Sequence, residues 1–431
     1  MTDQTPPLTW EVPQQLETDE TRAATDAKTA ILICHGMGKQ LRFESLDTVV
    51  HALTLECKHR WGTLPLVKFG QVKHGPEWIP RAEITVTDGQ GKQREIHLYE
   101  AYWAPLTEGK VNARDVTRFL FSAAWKGIRN SLSDGFDLWM FGKPQRFKYP
   151  IWTLFGIIGA FLLVCAVWAT YVVLVTYATG FLTRMYQAVT SSGGSLPEAL
   201  GQLFAGLNVN TLLWFLLLIL AWAVRTLYIQ YVGDVAAYIS SHDVSKFNDI
   251  RKAIQDTVCK VATAVYRAQE PSGLYLYDRV VVAGHSLGSL IIYDALNRLI
   301  NEELAEAGVS SVPARTPLLL TFGSPLDKIA FIFRTQKRNA AIREAFAANK
   351  QPMILNYEYR PKRWVNLHAS MDPVSGRLDY FDLPDAQVDT NFRPRRIVNQ
   401  KDPSAWMPLL AHNQYWDNQL FRTILMDELR P

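Results

Sequence analysis

A serine flanked by glycines, Gly284-His285-Ser286-Leu287-Gly288, stands between the apolar run Val280-Val281-Val282-Ala283 and the helix-like segment Leu290-Ile291-Ile292-Tyr293-Asp294-Ala295-Leu296. This is the pattern of a nucleophile elbow, in which a sharp strand-to-helix turn lifts a serine hydroxyl clear of the sheet. The glycines let strand and helix come close together. The chemistry it suggests is acyl transfer, with Ser286 Oγ as nucleophile and the Leu287 amide aimed at the reacting oxygen.

A serine hydroxyl attacks slowly at neutral pH unless a base takes its proton and a carboxylate orients that base. The order expected around such an elbow is serine, acid, histidine. Only His368 and His412 follow Ser286. His412, in Ala411-His412-Asn413-Gln414-Tyr415-Trp416, comes after every plausible acid and is the candidate base. For the acid, Asp372 follows the strand-like Trp364-Val365-Asn366-Leu367, and Pro373 disfavours helix there and holds the carboxylate at a strand exit. Asp327, after Gly323-Ser324-Pro325, is the competitor. Asp372 is preferred, because a carboxylate at the start of a helix, as at Asp327, has an ordinary capping role. Asp379 and Asp382 read as solvated or structural.

Acyl transfer also needs a second backbone donor for the oxyanion, from a loop near the start of the sheet. The segment Ala30-Ile31-Leu32-Ile33-Cys34-His35-Gly36-Met37-Gly38 runs an apolar strand into His-Gly-x-Gly, and Met37 N–H is the candidate donor. His35 reads as a hydrogen-bonded scaffold residue and Cys34 as an inert buried thiol.

Taken in order, His35-Gly36-Met37-Gly38, Gly233-Asp234-Val235-Ala236-Ala237-Tyr238, Gly284 to Ser289, Gly323-Ser324-Pro325-Leu326, Asp372-Pro373-Val374 with Arg377-Leu378-Asp379-Tyr380, and His412 with Tyr415-Trp416 resemble the α/β-hydrolase lipases. The likeness is greatest to the intracellular phospholipase A1 group that carries the DDHD domain. It covers the strand around residue 31 and most of residues 232 to 420. The resemblance implies carboxylic-ester cleavage on phospholipids, with Ser286 as nucleophile and Asp372 and His412 among the signature positions. Asp379 matches a further acidic position and Asp417 only loosely, while Asp234 matches with no role derivable from the residues. The chain departs from that group in an apolar insertion between residues 150 and 231. Membrane-embedded inositol deacylases are a second resemblance, fitting the insertion better and the C-terminal motifs less well.

The elements that must position these groups alternate. Strands are expected at about 29 to 34, 66 to 73, 94 to 103, 279 to 283, 317 to 322 and 363 to 368. Helices are expected at about 43 to 60, 245 to 268, 289 to 307 and 327 to 348, with a last helix near the C-terminus. Such alternation predicts an α/β-hydrolase fold, a mostly parallel sheet with helices on both faces. The expected organisation is a flexible tail over 1–28, a first part of the hydrolase domain over 29–110, an inserted helical membrane region over 111–231, and the second part with the triad over 232–431.

The chain has 431 residues and 48% hydrophobic content, ample for a sizeable core. The apolar residues are unevenly spread. From Tyr149 to Leu182, and again from Ala199 to Val224, there is no charged residue. A helix of about 20 apolar residues crosses a bilayer, so spans at about 151–182 and 206–228 predict a transmembrane hairpin, turned at Gly193-Gly194-Ser195. Lys126, Arg129, Lys143, Arg146 and Lys148 precede the first span and only Arg184 lies in the connecting loop, which predicts a cytoplasmic catalytic side. Met1 to Lys28 is polar and has no apolar core of a secretory signal. The four cysteines, Cys34, Cys57, Cys165 and Cys259, show no paired or metal-ligand spacing and fit a reducing compartment.

A formal net charge of +4 implies no nucleic-acid partner. Arg393-Pro394-Arg395-Arg396 reads as a solvated loop rather than a phosphate site, and no P-loop, zinc spacing, EF-hand loop or other cofactor motif is present. The expected partners are a membrane and a lipid or other ester substrate. Two alternatives stay open: a thioesterase or inositol-deacylase-like activity, and a catalytically silent membrane scaffold that keeps the fold as an interaction module.

Overall fold

The computed structural model describes residues 29–38, 40–74, 77–131, 233–239, 245–333, 350–372, 374–379, 381–382, 389–407 and 410–429, with scattered helical positions between 165 and 190. Its centre is an eight-stranded mixed sheet in the order β2-β3-β4-β1-β5-β6-β7-β8. The strands are β1 (Thr29–Cys34), β2 (Leu66–His74), β3 (Glu77–Thr87), β4 (Gln93–Ala101), β5 (Arg279–His285), β6 (Leu318–Phe322), β7 (Arg363–His368) and β8 (Ile397–Lys401). From β4 through β1 and β5 to β8 every neighbour is parallel, whereas β2, β3 and β4 form an antiparallel meander.

The central strands are continuous apolar runs because both of their faces are covered. In β1, Ala30, Leu32 and Cys34 enter one core and Ile31 and Ile33 the other, as the two-residue period of a strand requires. The first core is closed by α2 (Ala113–Ser131), α3 (Ser245–Tyr266), α4 (Leu287–Ala307) and α5 (Leu326–Phe333). The second is closed by α1 (Glu44–Trp61) and α6 (Gln419–Glu428). The result is a three-layer α/β architecture. On the outer strand β2 a mostly exposed pattern that includes Lys68 and Lys73 keeps the edge from pairing with another chain.

Two strands absent from the sequence expectation are β3 and β8. Pro80 hides β3 from a pattern search. It is tolerated because it pairs with Gln71 of β2 at a level where β4, whose pairing starts at Arg81, is not alongside, so no ladder bond on that side is lost. β8, Ile397-Val398-Asn399-Gln400-Lys401, is a short polar edge strand, held by its register with β7.

The expected hairpin falls largely outside the described residues. The span at 206–228 lies outside the described residues, as does most of 151–182, and the tail over 1–28 does too. Among the described residues no helix is long and apolar enough to cross a membrane. Helix α2, within the stretch assigned from sequence to the inserted region, sets Phe119 in the first core and packs against α5.

Candidate active site

Four of the sequence motifs singled out for chemistry leave the sheet at the C-terminal end of a parallel strand, where open α/β sheets bind their ligands, while His412 lies in a short helix, Ala411–Gln414, after β8. β1 runs into His35 and Gly36, β5 into Ser286, β6 into Gly323, and β7 into the turn that carries Asp372.

Ser286 has φ 52° and ψ −128°, one of two described non-glycine residues at positive φ. That conformation costs on the order of 1–3 kcal/mol and persists only where the surroundings over-determine it. Here Ser286 N–H donates to Phe322 O at 2.9 Å, and Ser289 Oγ donates to Gly284 O at 2.7 Å. A Cβ on Gly288 would lie 2.3 Å from His35 O and 2.4 Å from Cys34 O, so only glycine lets α4 start against the end of β1.

The three sequence candidates converge. Ser286 Oγ lies 2.7 Å from His412 Nε2, and His412 Nδ1 lies 3.0 Å from Asp372 Oδ2. Asp372 is therefore the carboxylate paired with His412. Asp327 instead sits in the first turn of α5, at the helix start that its sequence context suggested. Asp372 also accepts the Val374 amide on Oδ1 at 2.8 Å and the Tyr415 hydroxyl on Oδ2 at 2.9 Å. Burial alone pushes this carboxyl up, but donation from His412, Val374 and Tyr415 outweighs it and holds the pKa well below the usual carboxylate range. Ser375 Oγ, 2.9 Å from Tyr415 Oη, continues the chain of polar contacts.

The oxyanion side is built by close approach. A Cβ on Gly36 would stand 2.8 Å from Ser286 Cβ, so the loop lies directly against Ser286. Met37 follows it, and Leu287 opens α4, where a first-turn amide has no acceptor within its own helix. The loop is pinned from both sides. Gly38 N–H donates to Asp234 Oδ2 at 2.8 Å, which gives a task to a residue that sequence reasoning left without one. Burial raises the Asp234 pKa, against the opposing effect of its hydrogen bonds from Gly38 and Thr107. His35 Nδ1 lies 2.8 Å from Gly36 O, and its Nε2 accepts the Trp103 amide at 3.2 Å while the two rings stack. Its pKa is pushed down to about 4 by burial, which fits the expected scaffold role. The Cys34 thiol is pushed far up by burial, as an inert thiol would be.

Sequence reasoning missed two further contributors. His285 Nε2 donates to the backbone carbonyl of His412 at 2.8 Å and clamps the segment that carries the base. Burial first, and then the neighbouring His412, push the His285 pKa down to about 3, so it stays a neutral donor. Tyr415 was visible as part of a motif, but its bond to Asp372 was not. A buried tyrosine three residues after a catalytic-type histidine was the available signal, since a buried phenol needs a polar partner.

Other candidates have structural partners. Arg395 donates to the carbonyls of Tyr357, Glu358 and Arg360, so this member of the basic cluster ties loops together rather than standing solvated. Arg360 pairs with Asp382, and Arg377 with Asp379. His368 ends β7, and its backbone carbonyl accepts the Asp402 amide. Among the described residues, metal-ligating atoms come together at Glu83, Glu95 and His97, all within 4.8 Å of one another. Arg81 Nη2 donates to Glu83 Oε1 at 2.6 Å there, so the cluster carries its own counter-charge.

Comparison of the chain with models of known families, with curated proteins and with solved structures finds no match.

Proposed function

We propose that this chain is a serine hydrolase of α/β-hydrolase type that cleaves carboxylic esters of phospholipids or other acyl-lipids through an acyl-enzyme. The observation that carries this reading is the pairing of a backbone-strained serine with His412 at 2.7 Å and of His412 with Asp372 at 3.0 Å. Ser286 Oγ attacks the ester carbonyl while His412 Nε2 takes its proton. The Met37 and Leu287 amides stabilise the oxyanion, and His412 returns the proton to the departing alcohol. Water, activated by the same imidazole, then releases the acid and restores Ser286.

The lipid part of the proposal rests on the resemblance to intracellular phospholipases A1 and on the site's surroundings. Met371 beside Asp372, and Trp406, Met407 and Leu410 just before His412, are exposed apolar side chains close in sequence to the reacting groups. Ser286 itself is buried in this conformation. The uncharged stretches over 149–182 and 199–224 support a membrane hairpin, with the hydrolase on the cytoplasmic side.

The test is activity-based labelling. Purified protein is expected to react with a fluorophosphonate, and the Ser286→Ala form is not. Equal labelling of the two sinks the reading.

A further inference from the structure

Helix α2 places Arg114, Arg118, Phe121, Trp125 and Arg129 on its exposed side, at spacings of four, three, four and four residues, which is a single narrow stripe of a helix. Val116, Phe119 and Gly127 lie on the opposite side and are buried. Trp125 is 68% and Phe121 49% exposed. Two large aromatics between arginines give the chemistry of the bilayer interface, where rings sit among headgroups and guanidinium groups meet phosphates. The one acid in α2, Asp115, exchanges hydrogen bonds with Asn112 at the start of the helix and lies off the stripe.

We infer that this stripe of α2 docks on an anionic lipid surface. Charge complementarity selects that occupant, since three arginines and no acid face outward. Chain continuity supports it. α2 leads toward the uncharged stretch that begins at Tyr149, and described helical positions in and just after that stretch, Val172, Val173, Leu182 and Tyr186, are themselves exposed. Packing also links α2 to the segment that follows β6. α2 packs against α5, which follows directly on Gly323-Ser324-Pro325, and a Cβ on Gly323 would lie 3.2 Å from His412 Cε1.

The experiment uses full-length protein reconstituted into phosphatidylcholine vesicles with and without phosphatidylglycerol. An environment-sensitive fluorophore is attached through Trp125→Cys or, as control, Val309→Cys, each in a Cys165→Ala background because the other three thiols are buried. Val309 is exposed in the connection after α4, which leads to the N-terminal end of β6 and so lies away from the site. Brominated lipid is expected to quench the label at 125 far more in anionic vesicles than in neutral ones, and to leave the label at 309 unaffected. Arg114→Gln, Arg118→Gln and Arg129→Gln together are expected to weaken the docked population, by about fivefold in the docking equilibrium per arginine removed. No quenching at 125, quenching equal in the two vesicle types, or equal quenching at both positions overturns the inference. Fluorophosphonate labelling in the same samples separates this from catalysis: labelling retained without quenching sinks only the docking, and the reverse sinks only the hydrolase reading.

Discussion

Two clusters in this molecule are made of similar side chains and end differently. At the C-terminal ends of β5 and β7, Ser375, Tyr415, Asp372, His412 and Ser286 form one chain of hydrogen bonds. Under the antiparallel half of the sheet, Arg81 bonds Glu83 and Tyr99, Tyr99 and Tyr277 hydroxyls lie 2.6 Å apart, and Tyr277 Oη is 2.6 Å from His97 Nδ1, with His97 Nε2 3.0 Å from Glu95. Each has a histidine, a tyrosine and a carboxylate in mutual contact. The difference lies at the ends. The first chain terminates on a serine hydroxyl held at positive φ beside a glycine loop, whereas the second closes on a guanidinium that pairs with Glu83. A polar network acquires chemistry when it ends on a strained, reactive atom, and without one it only specifies packing.

The comparison can be broken by cutting each chain in turn. The largest effect is expected from His412→Ala, which should lower esterase turnover by about a thousandfold or more, because the serine loses its base. Steady-state hydrolysis of a short-chain chromogenic ester measures this, and a variant within tenfold of the parent would mean that the triad is not the engine. Tyr415→Phe should be milder. It removes one of three donors from Asp372 and lets that carboxyl's pKa rise, with an expected drop of about tenfold in kcat and little change in KM. An unchanged kcat would assign Tyr415 to packing alone. The smallest functional effect belongs to Tyr277→Phe, which should cost about 1–2 kcal/mol in urea unfolding and leave ester turnover untouched. If turnover falls with Tyr277, the two clusters are coupled and the contrast between them fails.

Some of this was legible from the chain and some was not, for physical reasons. The elbow could be read because its requirements are local: an apolar strand, a helix, and glycines where backbones touch. The parallel sheet could be read because strands buried on both faces become uninterrupted apolar runs, as in β1, β5 and β6. β3 could not, since Pro80 breaks the pattern and is excused only by the place where β4 ends. The clamp from His285 to the His412 carbonyl, and the bond from Gly38 to Asp234, join residues 127 and 196 positions apart. No local pattern encodes such pairs. The same holds for Arg395, whose run of basic neighbours suggests a solvated loop until three carbonyls are found around it.

What the sequence determined by itself was the six strands β1, β2, β4, β5, β6 and β7, the helices between them and the identity of the strained serine, because backbone preference and apolar periodicity act over a few residues. Only the tertiary structure decided that Asp372 rather than Asp327 meets His412, and that Tyr415 and His285 hold that pair in place. A hydrogen bond selects its partner by position within a fraction of an ångström, and those positions are set by how β5, β6 and β7 stack side by side, a relation between distant segments.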